Sequence, residues 1–303
     1  MIPILKINQD IHTIKLFEKN NISVHLLRLD EIHPVVSGNK LFKLYYFLKD
    51  VLHSPYKTII TFGGAYSNHL AATAFACNQL NIKSIGFVRG EQPKTLSPTL
   101  EFCIQNNMQL EFIDRVAYKT IHEKKFSGSL FQKFGNHILI PEGGFSLPGM
   151  EGAKLIWKYI EPNNKYTHIC CAIGTATTFA GLINGNTNDT IITGFPVLKG
   201  LHDIEERLIH LKILPEKKYK VIYDYHFGGY AKRNDELIHF INSFYSQNHI
   251  PLDFVYTGKM MYGVYDLINK NYFPGNSNIL CIHTGGLQGN NSLPDGTLKF
   301  TNT

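Results

Sequence analysis

The sequence predicts an α/β protein of two three-layer domains with doubly wound, mostly parallel sheets, and three observations predict it. Short β-branched and apolar runs alternate with longer helical patterns along the 303 residues. The strand runs are apolar almost throughout, as expected of strands covered on both faces. Several empty directly into glycine-containing turns that open the next helix, which is the βα connection of a parallel sheet.

In chain order, a helix is expected over 41–51, followed by a strand at 58–62 that runs into Gly63-Gly64. Ser67 or Asn68 caps a helix over 68–80. Strands are expected at 83–88, 109–113 and 137–140, then a helix over 149–160. The run 168–173 is a buried strand leading through Gly174 into a helix over 178–185. A strand at 190–195, a helix over 201–211 and a strand at 220–225 come next, the last emptying into His226-Phe227-Gly228-Gly229-Tyr230. Asn234 caps a helix over 235–246, a further helix covers 259–269, and a strand at 278–283 leads into Thr284-Gly285. Ligands in such sheets sit beyond the carboxyl ends of the strands, so these loops are expected to converge on one crevice.

Composition narrows the function classes. Hydrophobic residues make up 44% and charged residues 18%, as in ordinary globular proteins. No apolar run approaches bilayer length, and the first ten residues show no secretory signal pattern, so a cytoplasmic protein without a membrane partner is expected. The five cysteines have no zinc or Cys-x-x-Cys spacing and read as reduced core residues, and no metal site is expected. The formal charge of +6 is spread along the chain, without the dense basic patch of a nucleic-acid binder; the run 216–220 reads as a solvated turn.

Four distant segments carry the candidate chemistry. Ser37-Gly38-Asn39-Lys40 puts a lysine at a helix start, where the dipole and partial burial lower its pKa and favour a neutral, nucleophilic amine. Lys43, one turn on, competes for that role. Gly63-Gly64-Ala65-Tyr66-Ser67-Asn68-His69 joins glycines to a helix N-terminus suited to a carboxylate, though it would also serve as a plain cap. Gly174-Thr175-Ala176-Thr177-Thr178 offers hydroxyls and amides to a phosphate and matches neither the Walker A nor the dinucleotide fingerprint. His283-Thr284-Gly285-Gly286 supplies a neutral hydroxyl. An amine, a polar clamp, an anion cradle and a hydroxyl are the parts that pyridoxal 5′-phosphate requires.

In this order, from Val24 to Gly289, the segments resemble the fold-type II pyridoxal-phosphate enzymes, the tryptophan synthase beta-like fold, and within them the 1-aminocyclopropane-1-carboxylate deaminase and D-cysteine desulfhydrase family. The resemblance implies a homodimer of two-domain protomers, the large cofactor-binding domain formed by 1–44 and 151–303 and the small domain by 45–150. It makes Lys40 the cofactor-linked lysine and proton-transfer base, and sets Ser67 near the substrate carboxylate and Asn68 near the cofactor's 3′-oxygen. Thr175, Ala176, Thr177 and Thr178 match the phosphate loop, with Ala176 where glycine is usual. Tyr256 matches the tyrosine stacked on the ring and Tyr230 the second active-site tyrosine, while Thr284 lies by the pyridine nitrogen. Tyr66, where glutamine is common, and His69 complete the substrate side. Ring-opening deaminases carry glutamate and leucine where this chain has Thr257 and Thr284, so the resemblance implies desulfhydrase-like α,β-elimination from a small D-amino acid. Deamination of 1-aminocyclopropane-1-carboxylate is the alternative, and a cofactor-binding protein with little catalysis is the reading from another class.

Overall fold

The computed structural model describes residues 11–14, 19–33, 36–121, 123–160 and 165–300; the first ten residues, read above as carrying no signal, lie outside them. In chain order the elements are β1 (Ile11–Thr13), β2 (Ser23–Arg28), α1 (Asn39–His53), β3 (Thr58–Gly63), α2 (Asn68–Gln79), β4 (Lys83–Arg89), α3 (Pro98–Gln105), β5 (Met108–Ile113), α4 (Lys124–Phe134) and β6 (Ile138–Ile140). There follow α5 (Leu147–Lys154), β7 (His168–Ile173), α6 (Thr177–Gly185), β8 (Ile191–Pro196), α7 (Ile204–His210), β9 (Tyr219–Val221), α8 (Asp235–Asn248), α9 (Thr257–Asn269) and β10 (Asn278–His283).

Among the described residues the strands form two sheets, β1-β2-β10-β7-β8-β9 and β5-β4-β3-β6. Every pairing is parallel except that of β1 with β2. The expected parallel α/β class is therefore the observed one. Period-2 alternation puts each sheet between two apolar layers. In β7, Ile169, Cys171 and Ile173 join a core with α1, α5, α6 and α7, while Cys170 faces the core of α8 and α9. In β3 and β4, Ile60, Phe62, Ile85 and Phe87 face an aromatic cluster with Tyr118, while Val88 faces α2 and α3. The five cysteines are unbridged and buried, and burial pushes the Cys77 and Cys103 thiols up to about 12.

Several elements differ from the sequence reading. β1, β2, α3 and α4 were not expected. The helix expected over 149–160 starts at Leu147, capped by Ser146, and tightens after Lys154 into a 3₁₀ stretch, Leu155–Tyr159. The strand expected over 220–225 is the three-residue edge strand β9, so a longer connection leads to Tyr230. The caps proposed for α2 and α8 are present: Ser67 Oγ accepts from the Leu70 N–H, and Asn234 from the Leu237 N–H. No helix among the described residues is long and apolar enough to cross a membrane.

Candidate active site

All four segments end at one crevice, at the carboxyl ends of β3, β7 and β10 and the start of α1. Gly38 is where two of them meet. Its φ of +67° is open to glycine, its N–H donates to the Leu29 carbonyl at 2.7 Å, and an added Cβ would overlap the Thr284 carbonyl oxygen. The Asn39 N–H donates to that same oxygen at 3.2 Å, so backbone contact alone aligns α1 with the loop after β10.

Lys40 opens α1 into the crevice, and its Nζ donates to Asn39 Oδ1 at 2.7 Å. Asn39 Nδ2 in turn donates to Thr178 Oγ1 at 2.8 Å, which joins the amine to the Gly174–Thr178 loop. Burial lowers the Lys40 pKa to about 8, with Asp253 opposing the shift. About half of the amine is then neutral at pH 8, against roughly 1% or less for an ordinary lysine. Lys43 is buried, lies well below the ordinary lysine range for the same reason and because of Lys40 beside it, and donates to the Gly143 carbonyl at 3.1 Å. Its amine therefore braces a turn, whereas that of Lys40 borders the open crevice.

The anion cradle begins at β7 and ends in α6. Ala176 caps the helix in left-handed geometry, φ 66° and ψ −5°, with no side-chain cap, and the first N–H groups of a helix have no intrahelical acceptor and suit an anion. Thr175 and Thr177 hydroxyls lie 3.0 Å apart, and Thr175 packs against Gly143. Left-handed alanine costs about 1–2 kcal/mol, while glycine loses roughly 0.5–1 kcal/mol through the unfolded chain. Ala176→Gly should therefore leave stability unchanged or raise it by up to about 1.5 kcal/mol in urea unfolding, whereas Ala180→Gly, inside the same helix, is destabilising.

Across the crevice, the side chain of Asn68 approaches Gly286, as does Asp253. Ser67 Oγ accepts from the Leu70 N–H at 3.2 Å, which leaves its own proton to donate elsewhere. His69 turns away, into the small sheet. Thr61 Oγ1 spends its one proton on the Ile140 carbonyl, so it accepts from His69 Nε2–H, and Nδ1 carries a lone pair. Burial, with Lys40 and Lys43 nearby, lowers the His69 pKa to about 3, so the ring is neutral. Tyr66 projects at the rim, 41% exposed.

Tyr256 lies against Gly174, and its ring meets that of Tyr230 edge to face at 6.1 Å. Asp253 sets Tyr256 in place: its carboxylate accepts from the N–H groups of Val255 (3.0 Å), Tyr256 (2.6 Å) and Thr257 (2.8 Å). Lys259, also buried, donates to the carbonyls of His226 (2.9 Å) and Gly229 (2.7 Å) and so fixes the loop of Tyr230. Asp253 and the Glu142-Gly143-Gly144 turn did not enter the sequence reading, while Asn39, in a segment it singled out, and Lys259, at an expected helix start, were given no role there. Asp253 was findable as an Asp-x-x-x-Thr cap before a helix, and the turn as glycines after a strand. The roles of Asn39 and Lys259 exist only once the loops meet.

The buried polar atoms test whether pyridoxal 5′-phosphate fits. Asn68 Oδ1, on the Gly286 side of the crevice, and Thr257 Oγ1, next to Tyr256, are buried without a hydrogen-bond partner among the described residues. Unpaired buried polar atoms are costly unless a ligand or water satisfies them. With a depressed lysine, an anion cradle free of carboxylates and a neutral hydroxyl at Thr284, the donor set matches the cofactor's aldehyde, phosphate and ring nitrogen.

The comparison that decides the matter is at family level. A profile described as "Pyridoxal-phosphate dependent enzyme" matches residues 9–285. The chain belongs to that family. Its cofactor is pyridoxal 5′-phosphate, which when bound supplies an aldehyde for amines and a ring that takes up electrons from Cα. This pyridoxal-phosphate enzyme is 30% identical over 290 residues to the "Putative 1-aminocyclopropane-1-carboxylate deaminase" of Pyrococcus abyssi (strain GE5 / Orsay), covering 88% of this chain and 86% of that one. It is 29% identical to the protein of the same name from Thermotoga maritima, over 91% of this chain and 92% of the other. Among solved structures, an "ACC deaminase homologue" superposes with a TM-score of 0.81 at 25% identity, covering 93% and 90%. The enzyme is thus of fold-type II and similar to the aminocyclopropane-carboxylate deaminase group.

Proposed function

We propose that this enzyme catalyses α,β-elimination from a small D-amino acid in the manner of a D-cysteine desulfhydrase, releasing pyruvate, ammonia and sulfide. The reading is carried by one observation: Thr257 and Thr284, both buried, stand where ring-opening deaminases carry glutamate and leucine. Hydroxyls leave the ring nitrogen largely unprotonated, which moderates the electron demand on Cα and suits loss of a β-substituent.

In this reading Lys40 holds the cofactor and takes the Cα proton, helped by its lowered pKa. Ser67, with its proton free, and the first N–H groups of α2 receive the substrate carboxylate. Asn68 Oδ1 takes the cofactor's ring hydroxyl as a partner, and residues 175–178 hold the phosphate. Tyr256 covers one ring face, with Tyr230 beside it to pass a proton to the departing group. Tyr66 and His69 shape the substrate side, Tyr66 from the rim and His69 from behind the Ser67 loop.

The names of the relatives favour a second reading, opening of 1-aminocyclopropane-1-carboxylate to 2-oxobutyrate and ammonia. Assaying both compounds side by side separates the two. Pyruvate and sulfide from D-cysteine, with turnover of the cyclopropane at least about 100-fold slower, is the expected result; the margin corresponds to about 2.7 kcal/mol of discrimination. Appreciable turnover of the cyclopropane alone reverses the assignment.

A further inference from the structure

The small-sheet wall of the crevice carries two opposite charges that the reaction above does not use. Arg89 ends β4 and Glu142 follows β6, and these strands lie on either side of β3. The two side chains therefore leave the sheet roughly 10 Å apart at the backbone, on both sides of the loop that carries Ser67. Among the described residues neither forms an ion pair.

Both are nevertheless directed at the site. The Arg89 guanidinium lies over the Tyr118 ring, 5.7 Å from its centroid, and one terminal nitrogen stands 3.7 Å from where a Cβ on Gly64 would be. Glu142 begins the turn whose next residue, Gly143, packs against Thr175 of the anion cradle. Burial raises the Tyr118 and Tyr230 phenols, and on each Arg89 draws the pKa back while Glu142 pushes it further. The buried Tyr118 hydroxyl stands beside Glu142, which is its hydrogen-bonding neighbour, while Arg89 covers the same ring. Beyond Arg89 a cavity of about 670 Å³ opens along the ends of β4 and β5, lined in part by Ala65, Glu91 and Arg115. A substrate tail that passes Arg89 has room there, on the side away from Glu142. A simple anion would meet Glu142 and a simple cation would meet Arg89; a group bearing both charges satisfies the pair.

We propose that Arg89 and Glu142 form a subsite for the distal end of the substrate, and that the enzyme takes thioether-linked amino acids whose tail ends in a second ammonium and carboxylate. The proposal deepens the elimination reading and rests on it for its chemistry. The Cβ–S bond breaks and sulfur keeps the bonding pair, leaving as the thiol of the second amino acid. With one water the remainder becomes pyruvate and ammonia.

Four S-substituted cysteines, each as both enantiomers, test this on the holoenzyme: S-ethyl, S-(2-aminoethyl), S-(2-carboxyethyl) and lanthionine. Binding is read from the visible absorbance change and from the thermal midpoint, so an enzyme that does not turn over still reports. Lanthionine is expected to bind roughly tenfold or more tightly than S-ethylcysteine. Arg89→Ala should remove roughly tenfold from the two ligands with a tail carboxylate, and Glu142→Gln from the two with a tail ammonium, each leaving the neutral tail within about threefold. Equal binding of S-ethylcysteine and lanthionine overturns the subsite. So does an equal effect of either variant on all four ligands, the mark of a contact internal to the protein. Charge-selective binding without keto-acid release leaves the subsite standing and removes the elimination reading instead.

Discussion

Replacing Lys40 with alanine removes the visible absorbance of bound cofactor and lowers keto-acid release by about 10³-fold or more. The loss combines covalent attachment with the proton transfer at Cα, and the second alone typically contributes about 10²–10⁴. Lys43→Ala retains the absorbance, because the Lys43 amine is committed to the Gly143 carbonyl and only Lys40 borders the crevice with its amine held by Asn39. Loss of the chromophore in the Lys43 variant alone would transfer the assignment to that residue and leave the family unaffected. The two variants also separate by pH. The wild-type attachment rate should rise through pH 8, as the Lys40 amine, lowered to about 8, loses its proton.

Gly38→Ala is the stability change expected to be largest. Gly38 and Gly135 share nearly the same backbone conformation, φ 67° and ψ −149° against φ 70° and ψ −153°, a region essentially confined to glycine. Around Gly135 an added Cβ meets nothing within 4 Å, while at Gly38 it overlaps the backbone of Thr284 and Gly285. Gly135→Ala therefore reports the conformational cost alone, about 1–3 kcal/mol. Gly38→Ala adds an overlap with backbone that cannot rotate away, a further 1–3 kcal/mol or so. Urea unfolding of both variants gives the difference directly. Because the clash sits between α1 and the Thr284 loop, cofactor affinity should fall for Gly38→Ala and not for Gly135→Ala.

The site was legible in the sequence wherever a strand emptied into glycine and a hydroxyl, since the parallel sheet turns that local pattern into a shared crevice. Lys40, Asn68, the 175–178 loop and Thr284 are all of this kind. Asn39 and Lys259 were not legible, because their side chains act on backbone and hydroxyls 139 and 30–33 residues away. β1 and β9 were missed or shortened for a related reason. Each is a three-residue edge strand with one neighbour, so little apolar patterning is imposed on it. β2 is different: its Ser23-Val-His-Leu-Leu-Arg run mixes polar and apolar residues, and it is buried between β1 and β10 by pairing rather than by pattern. α4 is amphipathic but carries Ser127, Gly128 and Ser129 at its centre, which conceal its helical character.

Covalent attachment of the cofactor to one lysine underlies the proposed chemistry. Borohydride reduction of the holoenzyme, followed by proteolysis and mass spectrometry, is the most direct measurement of it. The expected result is a single pyridoxyl-phosphate adduct on the peptide containing Lys40. An adduct on Lys43 or Lys259, or none at all, would contradict it.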